Sequence, residues 1–165
     1  MNRRNFLFGC LGLAAVPVVA SRVFGGQAGM PEKPSEIVKI VKTKAEWKAL
    51  LTPERYAILR EEDTERAGSS ELNHEKRAGQ YVCAGCDLSL FTSAMKFDSG
   101  TGWPSFFTTL SGAVETKKDF KIFLPRTEYH CARCGGHQGH VFDDGPKPTG
   151  LRYCNNGLAL KFIPA

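Results

Sequence analysis

Cys131-Ala132-Arg133-Cys134-Gly135-Gly136-His137-Gln138-Gly139-His140-Val141-Phe142 joins a C-x-x-C turn, two histidines three residues apart and the start of an aromatic run. Val141-Phe142 is one of a series of short aromatic or branched runs set between Gly, Pro, Asp and Ser clusters. The others are Gln80-Tyr81-Val82, Phe106-Phe107, Ala113-Val114-Glu115, Phe120 to Leu124 and Leu158 to Phe162. Runs of this length and punctuation predict a mainly β, antiparallel protein. Helix signals precede them. Thr43-Lys44-Ala45-Glu46 has capping-box spacing, followed at helical intervals by Trp47, Leu50 and Leu51. Thr52-Pro53-Glu54-Arg55 then puts Pro at a first helical position, ahead of Tyr56, Ile58 and Leu59 to about Glu61.

The C-x-x-C turn has a counterpart in Cys83-Ala84-Gly85-Cys86, separated from it by 44 residues. Each such turn can aim two sulfurs at one point, so two turns brought together offer four thiolates in a tetrahedron, the closed arrangement of structural zinc. Gly85 and Gly135 are expected to supply close backbone approach and positive φ. Cys83, Cys86, Cys131 and Cys134 are therefore the candidate metal ligands, for one zinc ion that clips distant parts of a sheet domain. Three alternatives use the same residues: two disulfides, a redox-active C-x-x-C, or a Cys₂His₂ site from Cys131, Cys134, His137 and His140, which leaves Cys83 and Cys86 unemployed.

Residues 1–28 read as an export signal, with a basic start, an apolar run from Phe6 to Ala20 and small residues where a signal peptidase could cut. Arg3-Arg4-Asn5-Phe6-Leu7 resembles the twin-arginine signal, which carries folded proteins across the membrane. The expected destination is the periplasm, or a membrane tether if the leader is retained. Residues 29–42 read as a linker and 43–165 as the folded domain. The leader holds three arginines and no acid, so the formal charge falls from +5 to +2 without it, which gives no nucleic-acid footprint. Folded export also favours metal over disulfides, because zinc can be loaded before transport. A monomer is expected.

With Cys10 in the leader and four cysteines at the metal, Cys154 is the lone thiol of the mature chain. An unpaired thiol in an exported protein is a candidate nucleophile. Arg152 and Asn156, two residues to either side, would share its strand face and offer a cation and an amide to a thiolate. Read without further context, Cys154 is a buried apolar cysteine, Arg152 a salt-bridge partner, Trp103 a core aromatic and the histidines structural.

Three long motifs change that balance. Ser99-Gly100-Thr101-Gly102-Trp103-Pro104-Ser105-Phe106, Cys131 through Pro146, and Arg152-Tyr153-Cys154-Asn155-Asn156 through Pro164 resemble the B-type peptide methionine sulfoxide reductases, zinc-bearing branch, from about Thr52 to Pro164. The resemblance implies two antiparallel sheets with short N-terminal helices, and thiol-dependent reduction of methionine R-sulfoxide in proteins or peptides. It makes Cys154 the nucleophile, His140 and His137 the polar groups near the sulfoxide oxygen, Arg152 and Asn156 the thiolate's supports, and Trp103 a wall against the substrate methyl. Asp144 is read as bracing the histidine loop. Many members of the family carry a resolving cysteine where this chain has Thr101, and the loop from Glu65 to Leu72 holds none either. An external thiol or redoxin is thus implied as the reductant. The competing reading is a zinc-stabilised binding module without catalysis, in which Trp103, Phe106 and Phe107 stack on a ligand.

Overall fold

A computed structural model of the chain describes residues 37–121 and 125–165, so the export-signal reading of 1–28 and positions 29–36 of the linker lie outside the described residues. Both helix signals lead to helices. α1 spans Lys44–Leu50, where the Thr43 hydroxyl accepts the Glu46 N–H at 3.3 Å and the Glu46 carboxylate accepts the Thr43 N–H at 2.7 Å. α2 spans Pro53–Glu61 and is capped by Thr52, whose hydroxyl accepts the Arg55 N–H. Trp47 of α1 is buried, with the Arg60 guanidinium of α2 stacked 4.0 Å from its ring centre. Ile40, near the end of the stretch read as linker, donates its N–H to Arg133 O at 2.7 Å.

Nine strands follow among the described residues: β1 Gly79–Cys83, β2 Ser89–Thr92, β3 Lys96–Phe97, β4 Ser105–Phe106, β5 Val114–Asp119, β6 Arg126–Cys131, β7 His137–Phe142, β8 Arg152–Asn155 and β9 Leu160–Pro164. They form two antiparallel sheets, one in the order β2-β1-β9 and one in the order β3-β4-β8-β7-β6-β5. β5 stops at Asp119, and Phe120, the first residue of the run expected to form a strand at Phe120 to Leu124, is 72% exposed and outside it. Residues 122–124 of that run lie outside the described residues. The Leu158 to Phe162 run begins in a 3₁₀ turn, Gly157–Ala159, before entering β9.

Aromatic rings join the sheets. Phe91 of the three-stranded sheet stacks on Phe106 of the six-stranded one with centroids 3.9 Å apart, and Tyr81 meets Phe106 edge-on at 5.0 Å. Tyr129 and Tyr153, on β6 and β8, meet edge-on at 5.2 Å. Such pairs add about 0.5–1.5 kcal/mol each beyond the area they bury. They also fix which way the strands face: with Tyr129 and Tyr153 turned to the core, the alternate residues Glu128, Arg152 and Cys154 must occupy the opposite face.

Candidate active site

Cys83 ends β1 and Cys131 ends β6, so each sheet delivers one C-x-x-C turn to the same place. Cys83 and Cys134 sulfurs lie 3.7 Å apart, Cys86 and Cys131 sulfurs 3.5 Å, and all four sulfurs fall within 4.8 Å of one another. A zinc–sulfur bond of about 2.3 Å gives tetrahedral edges of about 3.8 Å, so the donor set fits that ion. Disulfides, which need about 2.05 Å between sulfurs, are not formed. The Cys₂His₂ arrangement is not formed either: Cys131 and Cys134 gather with Cys83 and Cys86, and neither His137 nor His140 joins the group. Cys83, Cys131 and Cys134 are buried and Cys86 is half-buried, so neither C-x-x-C pair is openly presented for redox exchange. Gly135 has the expected positive φ of 67°, but in the other turn it is Asp87, not Gly85, that takes this conformation, at φ 59°. Asp87 and Gly135 each follow their first cysteine by four residues and donate an N–H to its carbonyl.

The second centre is made by register. Ser105, Cys154, His140, Glu128 and Lys117 stand in one row across β4, β8, β7, β6 and β5, all on the face away from the aromatic core. Cys154, His140 and Trp103 line a pocket with Arg126, Phe142, Asn156, Thr64 and Gly139. The Trp103 indole is held by its N–H, which donates to Glu65 O at 3.1 Å. Strands β7 and β8 approach so closely that a Cβ on Gly139 would fall 1.9 Å from Cys154 O.

Burial pushes the Cys154 thiol up from its ordinary value, opposed by the Arg152 charge and by hydrogen bonds from Thr101 and Arg152. Arg152 stays in place through a two-pronged pair with Asp144, Nε to Oδ1 and Nη2 to Oδ2, both at 2.8 Å, and through stacking on Phe142 at 4.3 Å. Burial pushes His140 down, opposed by the hydrogen bond from its Nε2 to Asp119 Oδ2 at 2.7 Å. Both groups are therefore uncharged at rest near neutral pH. Beside them Glu128 bridges two histidines, Oε1 to His137 Nδ1 at 2.7 Å and Oε2 to His130 Nδ1 at 3.1 Å. Burial alone would raise its carboxyl, but those hydrogen bonds and the imidazole charges hold it at about 2.

Of the residues singled out from sequence, Cys154, His140, Trp103 and Asn156 meet in the pocket and Arg152 stands beside it. Asn156 does so differently from expectation. β8 ends at Asn155, and the Asn156 side chain accepts the Glu65 N–H at 3.1 Å and donates to Gln138 O at 3.1 Å. Strand alternation does not reach it, and its amide pins the Glu65 loop to β7 instead of facing the thiol. His137 is 3% exposed and lies behind the pocket, its ring 5.5 Å from that of His140, with Nε2 buried and unpartnered among the described residues. Asp144 braces Arg152; the histidines are braced by Asp119 and Glu128. Asp119, Glu128 and Arg126 were not singled out in the sequence, where Phe142 stood only in an aromatic run and Glu65 only at the edge of a loop. Glu128 carried a weak signal, as the one acid in the run Arg126 to Cys131.

Among known families, the SelR domain matches residues 51–164 of this chain. A protein of Bradyrhizobium diazoefficiens named peptide methionine sulfoxide reductase MsrB is 53% identical over 127 residues, 76% of this chain and 91% of its own length. A Methanosarcina barkeri protein of the same name is 51% identical over 124 residues, 74% of this chain and 87% of its own. The chloroplastic peptide methionine sulfoxide reductase B1 of Arabidopsis thaliana is 45% identical over 162 residues, 93% of this chain and 80% of its own.

Proposed function

The chain belongs to the SelR-domain family of peptide methionine sulfoxide reductases, and on that premise we propose that its Cys154 pocket reduces the R epimer of methionine sulfoxide in peptides and proteins. The reduction itself, by cysteine chemistry, is the activity of a family oxidoreductase. The observation that carries the finer reading is one pocket holding a lone cysteine, a facing neutral histidine and two aromatic side chains. Trp103 and Phe142 offer apolar surface to a thioether methyl, and His140 offers a ring nitrogen to the sulfoxide oxygen.

The step balances without any outside group. Cys154 Sγ attacks the sulfoxide sulfur, and its proton passes by way of His140 to the oxygen. The S–S bond formed by that attack and the methionine S–O bond both break as the hydroxyl passes to Cys154 Sγ, so an S–O bond forms on cysteine and two electrons move from cysteine sulfur to methionine sulfur. Because burial holds Cys154 as a thiol and His140 as a neutral base, proton transfer accompanies attack. Arg152, fixed by Asp144, then favours the anionic sulfur as it develops. Two equivalents of an external thiol, or a redoxin, return the sulfenic acid to thiol and release water and a disulfide.

Cys83, Cys86, Cys131 and Cys134 hold one structural zinc, whose chemistry is to tie the end of β1 to the end of β6. Residues 1–28 act as a twin-arginine leader that sends the folded protein to the periplasm, a reading supported by Arg3-Arg4 and the adjoining Phe6-Leu7. Exchange of Arg3-Arg4 for Lys-Lys tests it by the fraction of precursor left in the cytoplasm, and undiminished export overturns it. The enzymatic reading is tested with the two separated epimers of a methionine sulfoxide peptide. Turnover of the R epimer alone is expected; turnover of neither, or of both equally, overturns it.

A further inference from the structure

His140 makes one side-chain hydrogen bond among the described residues, from Nε2 to Asp119 Oδ2 at 2.7 Å. That oxygen also accepts from Arg126 Nη2 at 2.7 Å, while Asp119 Oδ1 accepts the Lys121 N–H at 2.9 Å. Around the imidazole stand Asp119 on β5, Arg126 and Glu128 on β6, His137 on its own strand, and Arg152 and Cys154 on β8. Glu128 is committed to His130 and His137, and Arg152 to Asp144, which leaves Asp119 as the carboxylate that meets His140. The Lys121 N–H, against burial and together with His140 and Arg126, holds the Asp119 carboxyl well below the usual carboxylate range, so it is ionised and can only accept. An acceptor at Nε2 requires the proton to sit on Nε2 and leaves the lone pair on Nδ1.

We infer that Asp119 is a positioning residue, which locks His140 in the Nε2–H tautomer so that Nδ1 is the nitrogen offered to the thiol and the sulfoxide oxygen. The inference rests on the reading of His140 as the proton carrier. Asparagine cannot substitute. Its NH₂ group must face either the Lys121 N–H or the pair of donors on His140 and Arg126, and the second placement drives the ring proton to Nδ1. Glutamate keeps the acceptor chemistry on a longer arm.

The experiment combines kinetics with nitrogen NMR of histidine-labelled protein, in the full zinc-loaded chain. Wild type is expected to show His140 with a protonated Nε2, and Asp119→Asn to show it partly or wholly protonated on Nδ1. On the R-sulfoxide peptide, Asp119→Asn should lose on the order of 10–100-fold in kcat with a smaller change in KM. The acid limb of its pH profile should also move to lower pH, because Asp119 opposes the effect of burial on His140. Asp119→Glu should recover part of the rate. A wild-type His140 protonated on Nδ1, or a folded Asp119→Asn enzyme with undiminished kcat, overturns the inference. If Asp119→Asn fails to fold, the wild-type spectrum decides. If wild type reduces neither epimer, the reductase reading falls while the spectrum still tests the tautomer.

Discussion

Tyr153 and Cys154 are neighbours on β8 that face opposite ways: the tyrosine ring meets Tyr129 edge-on at 5.2 Å inside the core, and the thiol lines the pocket with His140. The reactive side chain is aimed by the packed one. Cys154→Ser should therefore leave the fold and metal content unchanged while turnover drops on the order of a thousandfold or more, since the hydroxyl does not replace the attacking sulfur. Steady-state rates, metal analysis and a melting curve of the same preparation check this. Retained turnover would assign the chemistry to another residue.

The four-cysteine cluster makes the opposite prediction. Cys83→Ser removes a buried ligand that lies 3.7 Å from Cys134, so metal and stability should go together, with a fall in melting temperature of about 10 °C or more. Metal content by elemental analysis and the melting curve are the readouts. An apo variant that melts where wild type does would mean that the ion contributes nothing to folding.

Glu128 predicts an acid limb in stability. Its folded value of about 2 lies below its ordinary 4.5, so its contribution is complete above about pH 4.5 and is lost as pH falls towards 2. At about 1.4 kcal/mol per unit the loss is at most about 3 kcal/mol, shared with its two histidines. His130, raised first of all by its hydrogen bond to Glu128, has the reverse sign: its contribution is complete below its ordinary 6.5 and fades as pH rises through the higher folded value. Urea unfolding of wild type and Glu128→Gln at pH 3.5 and 6 separates this from proton-driven metal release, which both proteins share. The gap between them should narrow at the lower pH.

How much of this the sequence revealed depended on the range of the interaction. Thr43 and Glu46, or Thr52 and Pro53, act within four residues, so both helices were legible at their caps. Cys154, His140, Trp103, Cys131 and Cys134 sit inside long contiguous motifs, and Cys83 and Cys86 in a C-x-x-C turn, so those were legible too. Asp119 was not, because it meets His140 across 21 residues through the register of β5 on β6 and β6 on β7. Glu65 was hidden for the same reason: its carboxylate accepts the Gly157 and Leu158 N–H groups from more than 90 residues away. Phe120 misled because an apolar residue can stand exposed just past the end of a strand, here β5.

Thr101 sets the last prediction. Its hydroxyl bonds to Ser99 Oγ at 2.8 Å and counters the effect of burial on the Cys154 thiol, which places position 101 beside the reactive sulfur. The other cysteines of the described chain are gathered at the metal site, so one turnover without reductant should leave a sulfenic acid on Cys154 that dimedone traps. Thr101→Cys should convert that product to a disulfide between positions 101 and 154. Intact mass and non-reducing peptide maps distinguish the two products. A wild-type disulfide joining Cys154 to Cys83, Cys86, Cys131 or Cys134 would show that the metal site also serves as resolver.

The strand order β3-β4-β8-β7-β6-β5 also carries a timetable. A ribosome delivers β4 and β7 before β8, so the strand that carries the nucleophile enters a lane whose two neighbours are already made. β9 then closes on β1 at the far end of the chain. An interrupted translation product ending before Arg152 thus has the metal-binding turns and both histidines but no reactive thiol. The reductase site is therefore assembled only once β8 has been laid into the lane between β4 and β7.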